Sequence, residues 1–172
     1  MRRIALVIAV LSALAWALPV HAQGISEDAW DSLISYWELG EAGFGVRYDS
    51  HSGNDLTDVN TVWYEPGVIG QAALFAEANG EYLYHTDNDA LSRNINESFS
   101  ISGWLCPDIA LDTDWAISKG EYGYGDPGNE WIIYQLAGDG FRFSISDGST
   151  WSDVIYTTTV TGGSCYFVVA YY

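Results

Sequence analysis

Phe141-Arg142-Phe143-Ser144-Ile145-Ser146 carries apolar residues at every second position, and Phe99-Ser100-Ile101-Ser102 does the same. A period of two places successive side chains on opposite faces of an extended strand. Helical spacing appears only over Glu27 to Ile34, too short a stretch to organise a domain. From there on, short apolar runs recur, separated by Gly, Asn, Asp and Ser. That is the pattern of a β-sandwich or barrel. The predicted strands are 33–39, 70–75, 82–84, 98–105, 115–119, 130–136, 141–146, 152–157 and 165–172.

Residues that tolerate a left-handed backbone stand between these runs: Ser50-His51-Ser52-Gly53-Asn54-Asp55, Ala78-Asn79-Gly80, Gly125–Asn129, Gly138-Asp139-Gly140 and Gly162-Gly163. No stretch reads as a linker, a repeat or a low-complexity tract, so 23–172 reads as one domain. At that size a chain buries roughly two-thirds of its unfolded surface.

The first residues belong to a different class. Met1-Arg2-Arg3 precedes an apolar run from Ile4 to Val20, and Val20-His21-Ala22 offers small residues at −3 and −1 of a cut. This is the layout of a secretory signal over 1–22. The rival is an anchor, but the run sits near the lower limit of ~17 residues for crossing a bilayer. Pro19 also breaks helix just before the cut. The expected location is secreted, periplasmic or cell-surface, with no membrane insertion after cleavage. Cleavage removes Arg2 and Arg3 and no acid, taking the formal charge from −17 to −19. A field of that sign repels nucleic acid and attracts cations.

The twelve tyrosines and the seven tryptophans after the cut suit a pleated, half-buried surface, and a flat ring also stacks on a sugar face. The exposed-looking aromatics, predicted in loops, are Trp63 and Tyr64 beside Pro66, Tyr122 and Tyr124 among glycines, and Trp151. At the other end, 165–172 reads as a strand apolar on both faces, with Tyr166, Val168, Ala170 and Tyr172 opposite Phe167, Val169 and Tyr171. Such a strand is expected to be covered on both sides, and a domain stopping there leaves an open edge. The expectation is that C-terminal strands are lacking, with self-association or a protein partner at that edge.

The order of landmarks carries a resemblance. Leu33–Leu39 is followed by Tyr48–Thr57, Gly67–Phe75, Glu81-Tyr82-Leu83 with Ala90-Leu91-Ser92, Ser98–Trp104 and Cys165–Ala170. This resembles the laminin-G-like jelly-roll domains of the concanavalin-like superfamily, kin of the pentraxins, and covers Leu33 to Tyr172. The resemblance implies an all-β fold, a two-sheet antiparallel jelly-roll β-sandwich. It also implies a non-catalytic module for a glycan or cell-surface polymer, often calcium-dependent; the alternative is a structural or adhesive part of a surface assembly. In pentraxins a disulfide joins two adjacent antiparallel strands. Cys106 lies later on its strand and Cys165 earlier on its own than that pattern has them, and in an antiparallel pair those shifts compensate. Two buried thiols are the alternative.

Glycosidases of the laminarinase type resemble this sandwich and place a Glu-x-Asp-x-x-Glu pattern on one strand, which aims two carboxylates into one cleft about 5 Å apart. The sequence has no such triplet, and no HExxH or GxSxG. The expectation is therefore no enzyme. Two loops offer oxygen donors for calcium. One runs from Asp49 to Asp55 with Asn54. The other holds Asp126 and Asn129, like the pentraxin calcium segment but with Pro127-Gly128 inserted. Ordinary Asx-turn chemistry is the alternative for both.

Overall fold

A computed structural model describes residues 30–93, 96–108, 113–120, 130–138 and 140–172. The regular secondary structure of these residues is nearly all β-strand, and they fall into two compact units, one ending at Leu91 and one running Ser92–Tyr172. Among the described residues all strand pairs are antiparallel and no sheet closes on itself. Trp30 and Asp31 are helical, and Glu77–Asn79 forms a 3₁₀ turn. No helix among the described residues is long and apolar enough to cross a membrane. The signal segment 1–22 lies outside the described residues.

The unit up to Leu91 holds β1 (Val46–Arg47), β2 (Leu56–Val59), β3 (Trp63–Pro66), β4 (Gln71–Leu74) and β5 (Tyr82–Tyr84). They form a three-stranded sheet in the order β1-β2-β5 and a separate β3-β4 hairpin. β4 and β5 fall where the sequence predicts them. The strand predicted at 33–39 does not form; only Trp37 bridges to Asp49. Its hydrogen bonds go elsewhere. The Tyr36 N–H donates to Asp49 Oδ1 at 2.9 Å, the Trp37 indole to the Asn54 carbonyl at 2.7 Å, and Leu39 turns left-handed at φ 57°.

The unit Ser92–Tyr172 holds β6 (Ser100–Leu105), β7 (Trp115–Lys119), β8 (Trp131–Leu136), β9 (Gly140–Ser146), β10 (Trp151–Tyr156) and β11 (Tyr166–Tyr171). β7 to β10 make a four-stranded sheet and β6 pairs β11. Their register explains the core. Ile133 lies opposite Phe143, and Trp131 opposite Ile145, on one face of the larger sheet. Those residues join Phe141, Val160, Val168 and Ala170 in one buried cluster. Rings from the smaller sheet and its flank lock into it: Phe99 lies 6.1 Å from Phe143 and Phe141 lies 5.5 Å from Tyr166. Burying apolar side chains at about 25 cal/mol per Å² makes this cluster the main source of the unit's stability.

The polar face of β9 is covered, a feature that alternation leaves open: Ser144 and Ser146 are buried, and Arg142 sits over the Tyr134 ring and pairs with Asp153 at 3.6 Å. One sequence expectation changes at the last strand. β11 is covered on one face only. Val168 and Ala170 enter the core, while Phe167 and Val169 are half-buried and Tyr171 is exposed. Gly140 opens β9 at φ 102°, where a Cβ would overlap the Tyr156 carbonyl oxygen. Only glycine fits so close a backbone approach.

The Cys106–Cys165 disulfide is formed. Tyr166 lies opposite Leu105, so the register carried one step further sets the two cysteines face to face. Closing a loop with a sequence separation of 59 contributes ~4 kcal/mol in the chain-entropy model.

Candidate functional site

Arg47 is the only Lys or Arg between Trp30 and Leu91, and it is buried at 1% exposure. A guanidinium withdrawn from water must be satisfied by charge and hydrogen bonds. Nη1 donates to the Gly43 carbonyl at 2.9 Å and Nη2 to the Val62 carbonyl at 2.8 Å. Asp58, 4.0 Å away and itself buried, supplies the main countercharge, and Glu41 stands 3.9 Å from Nε.

Asp58 grips the same two segments from the other side. Its Oδ1 accepts from the Thr61 and Val62 N–H groups at 3.0 and 2.9 Å, and its Oδ2 from Gly45 at 3.3 Å. Asn60 and Thr61 are left-handed, at φ 62° and 75°, a conformation costly for a β-branched residue. The Asp58 bonds hold that turn. Val62 is thereby fixed at its N–H by Asp58, at its carbonyl by Arg47 and by a fully buried side chain. The next residue, Trp63, therefore leaves a rigid anchor.

Phe44 and Trp63 are the rings this clamp presents. Phe44, flanked by Gly43 and Gly45, is 65% exposed, and Trp63 is 46% exposed. Their centroids lie 5.3 Å apart, and Tyr64 stacks against Trp63 at 5.1 Å with planes 25° apart. The result is an outward-facing aromatic platform on two clamped segments. Trp63 and Tyr64 thus sit on strand β3 and not in a loop as predicted; Pro66 closes the strand at its last position, where a missing N–H is tolerated. Phe44 was missed by the sequence reading. Its glycine neighbours are the same signal that marks Tyr122 and Tyr124.

Asp49 organises a second cluster. Its Oδ1 accepts from the Tyr36 and His51 N–H groups, both at 2.9 Å. Its Oδ2 accepts from the Ser52 hydroxyl at 2.8 Å and the Asn54 N–H at 3.0 Å. Burial alone would raise this carboxyl, but the hydrogen bonds from Tyr36, His51, Ser52 and Asn54 outweigh it and hold the group well below the usual carboxylate range. Asn54 donates to Ser35 and Ser52 and accepts from the Asn88 amide at 2.6 Å. A carboxylate has about four lone-pair positions, and all of Asp49's are taken by protein donors. Calcium needs six to eight oxygens turned toward the ion, so Asp49 and Asn54 as arranged do not fit one. They build the Asx-turn alternative instead.

No group of three or more His, Cys, Asp and Glu among the described residues could hold a metal ion. Asp126, Asn129, Tyr122 and Tyr124 lie outside the described residues. Trp151 opens β10 and is half-buried, a strand position and not the predicted loop. The structure therefore joins Trp63 and Tyr64 with Phe44 and leaves Trp151 on a different unit. In comparisons with family models, curated proteins and solved structures, the chain matches none of them.

Proposed function

We propose that this chain is a non-catalytic extracellular module that binds a glycan or surface polymer through Trp63, Phe44 and Tyr64. The observation carrying this reading is the exposed aromatic platform held on a buried Arg47–Asp58 clamp. Large rings left in water cost stability, and rigid presentation removes the ordering cost of a flexible binding surface. Sugar rings offer apolar C–H faces that stack on such platforms. Export rests on the 1–22 pattern, and the laminin-G-like jelly-roll reading rests on the order of landmarks together with the antiparallel sheets.

The test is affinity electrophoresis of the secreted chain against a panel of soluble polysaccharides, with Trp63→Ala and Phe44→Ala as variants. At least one polymer is expected to retard the parent chain, with retardation lost in Trp63→Ala. Retardation by none, or equal retardation of parent and variants, removes this platform as a glycan site.

A second reading, an adhesive part of a surface assembly, is favoured by one separate feature. On the outer face of β6 and β11, Trp104 is 45% exposed and packs on Phe167 at 5.3 Å, with Tyr171 exposed nearby on the same face. Sedimentation of the parent chain and Trp104→Ser at several concentrations tests it. Association that the substitution abolishes supports this reading, and a monomer throughout rejects self-assembly by that face.

A further inference from the structure

Resting on the glycan-binding reading, we infer that the platform takes an amine-bearing, cationic sugar polymer. The argument starts from the strand itself. Glu65 follows Trp63 by two residues on β3, so both side chains project from one face about 6–7 Å apart. Opposite Glu65 across the hairpin stands Ala72, and opposite Trp63 stands Leu74. Ala72 offers only a methyl group beside Glu65, and the exposed Glu65 side chain makes no ion pair or hydrogen bond among the described residues. Trp63 and Glu65 thus leave the strand on the same side, one two-residue repeat apart.

The surrounding field has one sign. Between Trp30 and Leu91 stand eleven Asp and Glu residues, no Lys, and Arg47 alone as a strong base. Arg47 is buried and spent on Gly43, Val62, Asp58 and Glu41. No exposed Lys or Arg of this unit meets a sulfate, a uronate or a phosphate. An ammonium group on a sugar would gain three interactions together: attraction by the ring face, pairing with Glu65, and entry into a negative field. A neutral sugar would keep only the stacking, and an anionic one would lose against the field.

Titration calorimetry of the secreted chain with three length-matched oligosaccharides separates these outcomes: a β-linked glucosamine oligomer with free amines, its fully N-acetylated counterpart, and a uronic acid oligomer. The free-amine oligomer is expected to bind roughly 5- to 10-fold tighter than the acetylated one, with the gap closing at high salt. Glu65→Gln, an exposed near-isosteric change, is expected to bring the ratio of the two affinities close to one. Equal affinity for the amine and acetyl forms in the parent chain, or an unchanged ratio in Glu65→Gln, overturns the inference while leaving a glycan site. Tightest binding of the uronate overturns it too. Binding of none of the three, or of any panel polysaccharide, overturns the glycan reading itself.

Discussion

Replacing Arg47 by Met tests the clamp on which the platform stands. Methionine fills the same channel with an unbranched apolar chain, so the change removes the guanidinium with little loss of volume. Two charge-assisted hydrogen bonds go, to the Gly43 and Val62 carbonyls, together with the countercharge of Asp58 at 4.0 Å. Such bonds contribute about 1.5–3 kcal/mol each, but both come from one group and are not summed. Breaking a buried pair on one side costs about 3–5 kcal/mol. Asp58 keeps its three backbone donors, which places the expected loss toward the lower end, ~3–4 kcal/mol. Arg47→Lys should recover only part of this, because one ammonium on a shorter side chain does not replace a fork that spans two carbonyls. The assay is urea unfolding of the secreted chain, followed by tryptophan fluorescence. A cycle with Asp58→Asn should show a coupling of at least ~1 kcal/mol. A loss below ~1 kcal/mol in Arg47→Met, or a lysine variant as stable as the parent, would refute the clamp.

Three further outcomes follow from the same geometry. Asp49→Asn keeps the acceptor for Tyr36 and His51 but opposes an amide to Ser52 and Asn54, for a loss of about 2–3 kcal/mol that chelator does not change. Because the folded pKa of Asp49 is lowered, its contribution is complete above the ordinary aspartate value of ~3.9 and is lost as pH falls below it. The gap between parent and variant should therefore shrink between about pH 4 and pH 2; a constant gap, or one that depends on calcium, rejects the hydrogen-bond account. Converting Cys106 and Cys165 together to Ser should lower stability by ~4 kcal/mol and remove all sensitivity of the melting curve to reductant. An unchanged parent curve under reduction speaks against the bond. Gly140→Ala should cost about 3 kcal/mol or more through overlap with the Tyr156 carbonyl and its positive φ, whereas Gly148→Ala, with φ 87° and open space, should cost only about 1–2 kcal/mol; equal losses would show that the overlap relaxes freely.

Much of the strand framework is legible in the sequence alone. Alternation marks β6 and β9, the apolar run within 130–136 marks a strand, and glycine and Asn-Gly clusters mark the turns between; that this strand lies between two others and is buried on both faces comes from the structure. These features are local: the period of side-chain hydrophobicity records which face meets the core. Once β6 and β11 lie antiparallel, the compensating offsets of Cys106 and Cys165 place them opposite each other.

The candidate site obeys no such period. β1 is two residues long and β3 ends in Pro66, so neither carries a pattern to read. Arg47 as a surface charge and Asp49 as a metal ligand are both reasonable from residue type, because charged groups prefer water or cations. Their actual roles depend on which carbonyls and N–H groups the folded loops leave unpaired nearby. Gly43, Val62, Tyr36 and Asn54 lie between 4 and 15 positions from the side chain that satisfies them. Composition and sequence determined a β chain with a strongly negative charge and many rings. Only the tertiary structure decided that the buried Arg47 would hold Phe44 and Trp63 side by side, because that placement is set by backbone groups needing partners across loops, which no hydrophobic period records.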